Sequence, residues 1–178
     1  MMAIWAAGCA DAQETSEHLQ QLVGLSARRL VIGEQVALAK WDSAAPVEDV
    51  TREEKVIASA VKAGEAKGLD AMVVARFFRG QIEANKMVQY ALLAEWRRAG
   101  KAPEHKPVDL GMTIRPELDE LGTELIAELA QTTSVRAGAS CHTDVANAVG
   151  DYVLAHKEDF DAVERMALDR AMAGACVK

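Results

Sequence analysis

Apolar residues recur along this chain mostly at steps of three and four, the spacing that keeps side chains on one face of a helix. Residues 19–41, LQQLVGLSARRLVIGEQVALAKW, form the longest such stretch, with Leu19, Leu22, Ser26, Arg29, Gly33, Val36 and Lys40 on one stripe. The small and turn-prone residues 42–46, ending in Pro46, break this helix. A second is expected from Val50 or Thr51, where Thr51 and Glu54 have capping-box spacing, with Val56, Ile57, Ala60 and Val61 as its packing face and Gly68 as its end. Asp70 is placed to cap a third helix running to about Arg98, striped by Val74, Phe78, Gln81, Asn85, Gln89, Leu92 and Trp96. Residues 100–111 carry two prolines and no periodicity, which reads as a connector. Pro116 suits the first turn of a fourth helix with Leu118, Leu121, Leu125, Ile126 and Leu129 on its core face. Two shorter helices follow, over about 140–155 and 157–172, the second bearing Phe160, Val163 and Met166. No alternating strand pattern occurs, so the expected fold is all-α: one bundle of about six helices over 14–178, led by a long N-terminal helix.

Two cations interrupt the apolar stripe of the first helix. Arg29 and Lys40 lie 11 positions apart, about three turns, so they point the same way, separated by roughly 16 Å along the axis. Long basic side chains commonly lie over a core edge with their heads in water. Two on one inward stripe argue for a partner instead, because an unpaired buried charge costs several kcal/mol or more. That partner is either an acidic side chain or a ligand with two anionic groups. Three amides, Gln81, Asn85 and Gln89, likewise interrupt the stripe of the third helix. Buried amides need hydrogen-bond partners, so they either bond neighbouring helices or line a polar cavity; Asn85 and Gln89, facing the helix with both cations, favour the cavity. Asp49, Arg52 and Glu53 add a charged cluster at the start of the second helix.

Composition narrows the chemistry. Twenty Lys+Arg against 27 Asp+Glu give a net charge of −7, which disfavours nucleic acid or an anionic membrane as the main partner and makes any anion site a local one. Metal-ligand spacings, glycine-rich phosphate loops and nucleophile elbows are missing from the sequence, and His18, His105, His142 and His156 fall at helix ends or in connectors. A pocket of cations and amides suits a reaction that needs positioning and charge stabilisation, with no cofactor and no metal. Residues 1–13 resemble part of an export signal without its basic start, and Ala-Ala-Gly-Cys at 6–9 resembles a weak lipoprotein processing site at Cys9. Beyond them no apolar run approaches the ~20 residues of a membrane span. In an exported chain Cys141 and Cys176 are expected to pair; in a cytosolic one they would be two separate thiols.

Taken in order, Arg29, Lys40-Trp41, Pro46-Val47-Glu48-Asp49, Arg52-Glu53, Gln81-Ile82-Glu83-Ala84-Asn85-Lys86, Gln89-Tyr90 and Trp96 resemble the secreted, gamma-type chorismate mutases of the all-helical class. The similarity runs from about Leu19 to Cys176, and Cys141 and Cys176 match the pair that is bridged in secreted members. The resemblance implies a type II fold, a periplasmic or secreted homodimer with each site inside one chain, and cofactor-free rearrangement of chorismate to prephenate. It assigns Arg29 to a substrate carboxylate, Lys40 to the ether oxygen and a carboxylate, and Gln89 to the same oxygen. Asp49, Arg52 and Glu53 correspond to the group near the ring hydroxyl, and Asn85 to a polar residue by a carboxylate. A further arginine for the second carboxylate is expected on the fourth helix, where Glu124 stands; Arg115 and Arg136 are the alternatives. The rival readings are an isochorismate-pyruvate lyase on the same fold and a non-catalytic exported helical module.

Overall fold

A computed structural model describes the backbone of residues 5–177 and the side chains of residues 16–177. The expected leader over 1–13 and the processing site at Cys9 therefore lie outside the described residues, apart from helical backbone that runs back to Trp5. Among the described residues the fold is all-helical: α1 (Trp5–Ser43), α2 (Val50–Glu65), α3 (Ala71–Ala99), a π-helical turn (Leu110–Ile114), α4 (Arg115–Gln131), α5 (Thr133–Ala137), α6 (Cys141–Ala155) and α7 (Ala162–Met172). No helix among them is long and apolar enough to cross a membrane.

Helix α1 is the spine, packing along α3, α4, α6 and α7. Its expected stripe faces inward, with Leu19, Leu22, Ser26, Arg29 and Val36 all buried. Helix α2 starts at Val50, one of the two expected positions, but with a different cap. Asp49, not Thr51, is the N-cap: its carboxylate accepts from the Arg52 amide at 3.1 Å, and Glu53 Oε1 accepts from the Asp49 amide at 3.3 Å. A carboxylate stabilises the positive end of the helix dipole better than a hydroxyl does, which explains the choice. The apolar face of α2 is mostly half-buried, since only Ala60 and Gly64 are buried.

Helix α3 is as expected, capped by Asp70 on the Met72 and Val73 amides at 2.9 and 3.0 Å. It ends at Gly100, whose φ of 75° is one that few side chains tolerate. The connector that follows closes with structure that its sequence does not announce. Asp109 Oδ1 accepts from the Gly111 and Met112 amides at 2.8 Å each, opening a π-helical turn that runs straight into α4. Pro116 does occupy the first turn of α4.

The C-terminal part departs further from the pattern. Thr132 ends α4 by bonding back to the Glu128 carbonyl at 2.7 Å, and the short α5 follows. Helix α7 begins later than residue 157, at a capping box formed by Asp161 and Glu164. Phe160 is buried as expected, but Met166 is 55% exposed and Val163 only half-buried; Ala167, Leu168, Ala171 and Met172 face the core instead. Small residues decide this, because α7 and its tail lie against α3 so closely that a Cβ on Gly80 would meet the Ala171 carbonyl at 3.1 Å.

The main core joins Leu22, Leu30, Phe77, Phe78, Leu125 and Leu168 with neighbours from α1, α3, α4, α6 and α7. A smaller cluster of Leu38, Val47, Leu93 and Trp96 closes the other end of the α1–α3 pair, where Trp41 meets Trp96 edge to face at 6.0 Å. Past α7 the chain is fixed three ways. Cys141 and Cys176 are bridged, with Cα atoms 5.8 Å apart. Arg76 donates to the Cys176 carbonyl. Arg136, fully buried, donates to the carbonyls of Leu129 (2.8 Å) and Ala175 (2.9 Å) and to Thr132 Oγ1 (3.1 Å). Burial, reinforced by nearby Arg76, pushes its guanidinium down to about 10, so it remains charged at neutral pH.

The bridge closes a loop with a sequence separation of 35. Replacing Cys141 and Cys176 together by alanine should destabilise the fold by about 3 to 4 kcal/mol. Guanidinium unfolding, with reductant on the wild type as a parallel, checks this.

Candidate active site

A cavity of about 480 Å³ lies between the second half of α1, α2, the middle of α3, the π-helical turn and the start of α4. All seven residues expected from the sequence line it: Arg29, Lys40, Asp49, Arg52, Glu53, Asn85 and Gln89. Helix α1 delivers both cations because they share its inward stripe. Arg29 is buried and donates from Nη1 to the Leu118 carbonyl at 2.9 Å, while its Nε is buried with no hydrogen-bond partner. Burial pushes it down to about 10, against the pull of Asp119 and with a further push from Arg52. Lys40 is half-buried and donates to the Val47 carbonyl at 2.6 Å. Burial lowers its pKa below the ordinary lysine range, opposed by Asp49, Glu53 and Glu48.

The three amides of α3 divide between two roles. Gln81 is structural, donating to Ser26 Oγ at 2.8 Å and to the Ala171 carbonyl at 3.3 Å, and so ties α3 to α1 and α7. Asn85 and Gln89 face the cavity in a directed chain. Asn85 Nδ2 donates to the Arg29 carbonyl at 2.6 Å, and Gln89 Nε2 donates to Asn85 Oδ1 at 2.6 Å. A carbonyl only accepts, so the Arg29 backbone fixes the orientation of both amides. Gln89 retains a second N–H, and its Oε1 is buried without a partner. Gly33 makes room for this chain, since a Cβ there would meet Asn85 Nδ2 at 3.1 Å.

Asp49 belongs to the α2 cap, and Arg52 pairs with Asp119 of α4 at 2.8 Å. Glu53 pairs with Lys86 of α3 at 3.3 Å. Asp119 and Lys86 are among the cavity residues that the sequence reading did not place in the site. Both have ion-pair partners far along the chain, Arg52 for Asp119 and Glu48 and Glu53 for Lys86, and the burial of Lys86 to 8% exposure comes only with the fold.

Of the three positions considered for a further arginine, only that of Arg115 lines the cavity. Glu124 sits on the outside of α4, 3.5 Å from Arg28, and Arg136 is held in the C-terminal lock, so neither reaches the cavity. Arg115 does line it, exposed at the rim and without an ion pair among the described residues. The π-helical turn that precedes it brings Ile114 into the wall and ends at Arg115. None of the four histidines lines the cavity, and no metal-binding group occurs among the described residues. An apolar wall from Val36, Val47, Val56, Ile82 and Ile126 completes a pocket whose cations and amide N–H groups suit a compact dianion.

Residues 14–90 match the family model described as chorismate mutase type II. The chain is 30% identical over 158 residues to a protein of Mycolicibacterium smegmatis named secreted chorismate mutase, covering 89% of this chain and 86% of that one. Among solved structures, a chorismate mutase from Burkholderia phymatum superposes with a TM-score of 0.86 at 43% identity, covering 92% of this chain and 99% of the other. One from Burkholderia thailandensis gives 0.83 at 34% identity, covering 89% and 99%.

Because burial makes Lys40 release its proton more readily than an exposed lysine, binding of a dianionic ligand should weaken as pH rises through that lowered pKa. The unfolded chain holds the same proton more tightly, so the fold itself should gain stability over that range, opposite in sign. Calorimetric titration across pH, with Lys40→Met as the control that removes the share due to Lys40, separates the two effects.

Proposed function

The chain belongs to the type II chorismate mutase family, and from that premise we propose how its cavity turns chorismate into prephenate. The reaction breaks an ether C–O bond and forms a C–C bond in one cyclic movement of electrons. No proton moves and no covalent enzyme intermediate forms. What the protein supplies is a compact substrate conformation and stabilisation of the negative charge that builds on the ether oxygen. The observation that carries the assignment is that Arg29, Lys40 and Gln89 converge on one cavity, with Arg29 Nε buried and unpaired.

In this reading Arg29 holds one carboxylate through its unpaired Nε and the planar fork beside it. Arg115, at the rim, takes the second, the role for which the fourth helix has no arginine at Glu124. Lys40 leaves the Val47 carbonyl to contact the ether oxygen and a carboxylate. Gln89 donates its free N–H to the same oxygen, an interaction stronger in the transition state than in the bound substrate and therefore one that raises the rate. Asn85 keeps that amide aligned. Asp49, Arg52 and Glu53 surround the ring hydroxyl. We further propose export of the chain, supported by the Cys141–Cys176 bridge and by the relative named as secreted. A homodimer with one complete cavity in each chain fits the lining, which one chain supplies.

Incubation of the purified protein with chorismate, with the product identified, tests this directly. Prephenate is expected; pyruvate release would instead establish a lyase. Lys40→Ala and Gln89→Ala should each lower kcat by roughly 100-fold or more, whereas Arg115→Ala should act mainly by raising KM, by about 10-fold. Turnover should hold steady between about pH 5 and 8, because an amide at position 89 donates without having to bind a proton first.

A further inference from the structure

Three carboxylates, those of Glu48, Asp49 and Glu53, lie near enough to Lys40 to strengthen its hold on a proton. Yet the Lys40 ammonium bonds the Val47 carbonyl, and each of the three has another partner. Asp49 caps α2. Glu48 and Glu53 both bond Lys86, at 2.8 and 3.3 Å, and Glu83 one turn earlier on α3 joins them at 2.8 Å. Tyr90 adds a hydrogen bond to the free oxygen of Glu48 at 2.9 Å. Lys86 is only 8% exposed. Burial alone would lower its pKa, but the bonds from Glu48, Glu83 and Glu53 outweigh it and hold the group above the ordinary lysine range.

A cavity meant for a dianion has a difficulty if carboxylates can reach its cations. Any of them that paired with Lys40 would compete with the substrate for the same ammonium, and would repel the substrate's charges as well. We propose that Lys86 is a positioning residue for the reaction: by gathering Glu48 and Glu53 onto α3, it keeps them off Lys40 and leaves that ammonium for the substrate. It also anchors the segment between α1 and α2, whose Val47 carbonyl accepts from Lys40. Charge separation, not bulk, is the property required. The inference rests on the reading of the cavity given above.

Lys86→Met removes the charge and keeps the apolar length. It should lower kcat/KM by at least ~10-fold, with kcat sharing the loss because Lys40 acts on the ether oxygen. The activity of the variant should recover as pH is lowered and the released Glu48 carboxylate takes up a proton, a recovery that wild type lacks. Adding Glu48→Gln should restore part of the loss, and Lys86→Arg, which keeps the charge, should stay within about 3-fold of wild type. Lys86→Gln, able to donate to the carboxylates without a charge, should repeat the loss if Lys86→Met folds poorly by circular dichroism. A measurement independent of turnover is the nuclear magnetic resonance titration of the Lys40 side-chain nitrogen. Its pKa should move up in Lys86→Met and Lys86→Gln, in part because the neighbouring positive charge of Lys86 is lost and further because freed carboxylates pair with it. Adding Glu48→Gln should take back the second part, and a shift that Glu48→Gln leaves undiminished would overturn the pairing. Wild type without prephenate formation would overturn the functional reading alone. An unmoved Lys40 titration, or a loss of activity equal at every pH and unrelieved by Glu48→Gln, would overturn the role of Lys86.

Discussion

Placing a guanidinium on the inward face of the helix that serves as the spine sets a constraint that the rest of the molecule answers. Arg29 is buried and charged, and the fold gives it less than a full complement of partners: the Leu118 carbonyl, the distant pull of Asp119 and nothing for Nε. A core filled with apolar side chains could not keep such a group charged. The helices therefore stand apart here, and the resulting cavity is bounded by the second half of α1, by α2 and by the start of α4. The same logic applies to Lys40, whose lowered pKa measures how far it has been taken from water. Both cations are kept in a state that an anion would improve.

Rigidity around that cavity comes from groups with no direct contact to the chemistry. The Arg29 carbonyl orients Asn85, and Asn85 orients Gln89, so the backbone of α1 decides which way an α3 amide points. Gly33 permits the close approach that makes this possible. At the mouth, Asp119 holds Arg52 and Lys86 holds Glu48 and Glu53, which ties α2 to both α4 and α3. Fixed dipoles and charges of this kind stabilise a transition state without having to reorganise as it forms.

The far end of the molecule is locked by different means. Arg136 is as deeply buried as any residue in the fold, but its guanidinium bonds backbone carbonyls that helix ends and the tail leave over. With Arg76 and the Cys141–Cys176 bridge, it fixes the last residues against α3 and α4. Two buried arginines in one small fold thus serve opposite purposes. Arg136 bonds a fixed acceptor from each of its three nitrogens, whereas Arg29 bonds one from Nη1, has its Nε buried without a partner and lines the cavity.

The sequence by itself determined the helical class, the C-terminal end of α1, the span of α3, the Asp70 cap and the first turn of α4, whereas α1 runs back beyond the expected Leu19 to Trp5. It also determined that Arg29, Lys40, Asn85 and Gln89 share inward stripes, because helical periodicity is a local property that a single chain displays. The motifs shared with the family made the chemistry legible before any geometry. Only the tertiary structure decided what depends on neighbours distant along the chain. Competition between Asp49 and Thr51 for the α2 cap was settled by charge at the helix end, and the face of α7 by how closely small residues let it approach α3. The division of the amides into structural Gln81 and cavity-facing Asn85 and Gln89 turns on which helix stands opposite each. Arg115 follows a π-helical turn, a widening of the helix that a period of 3.6 residues does not reveal. Lys86 and Asp119 read as ordinary surface charges until folding brings their partners across from α2 and the segment before it.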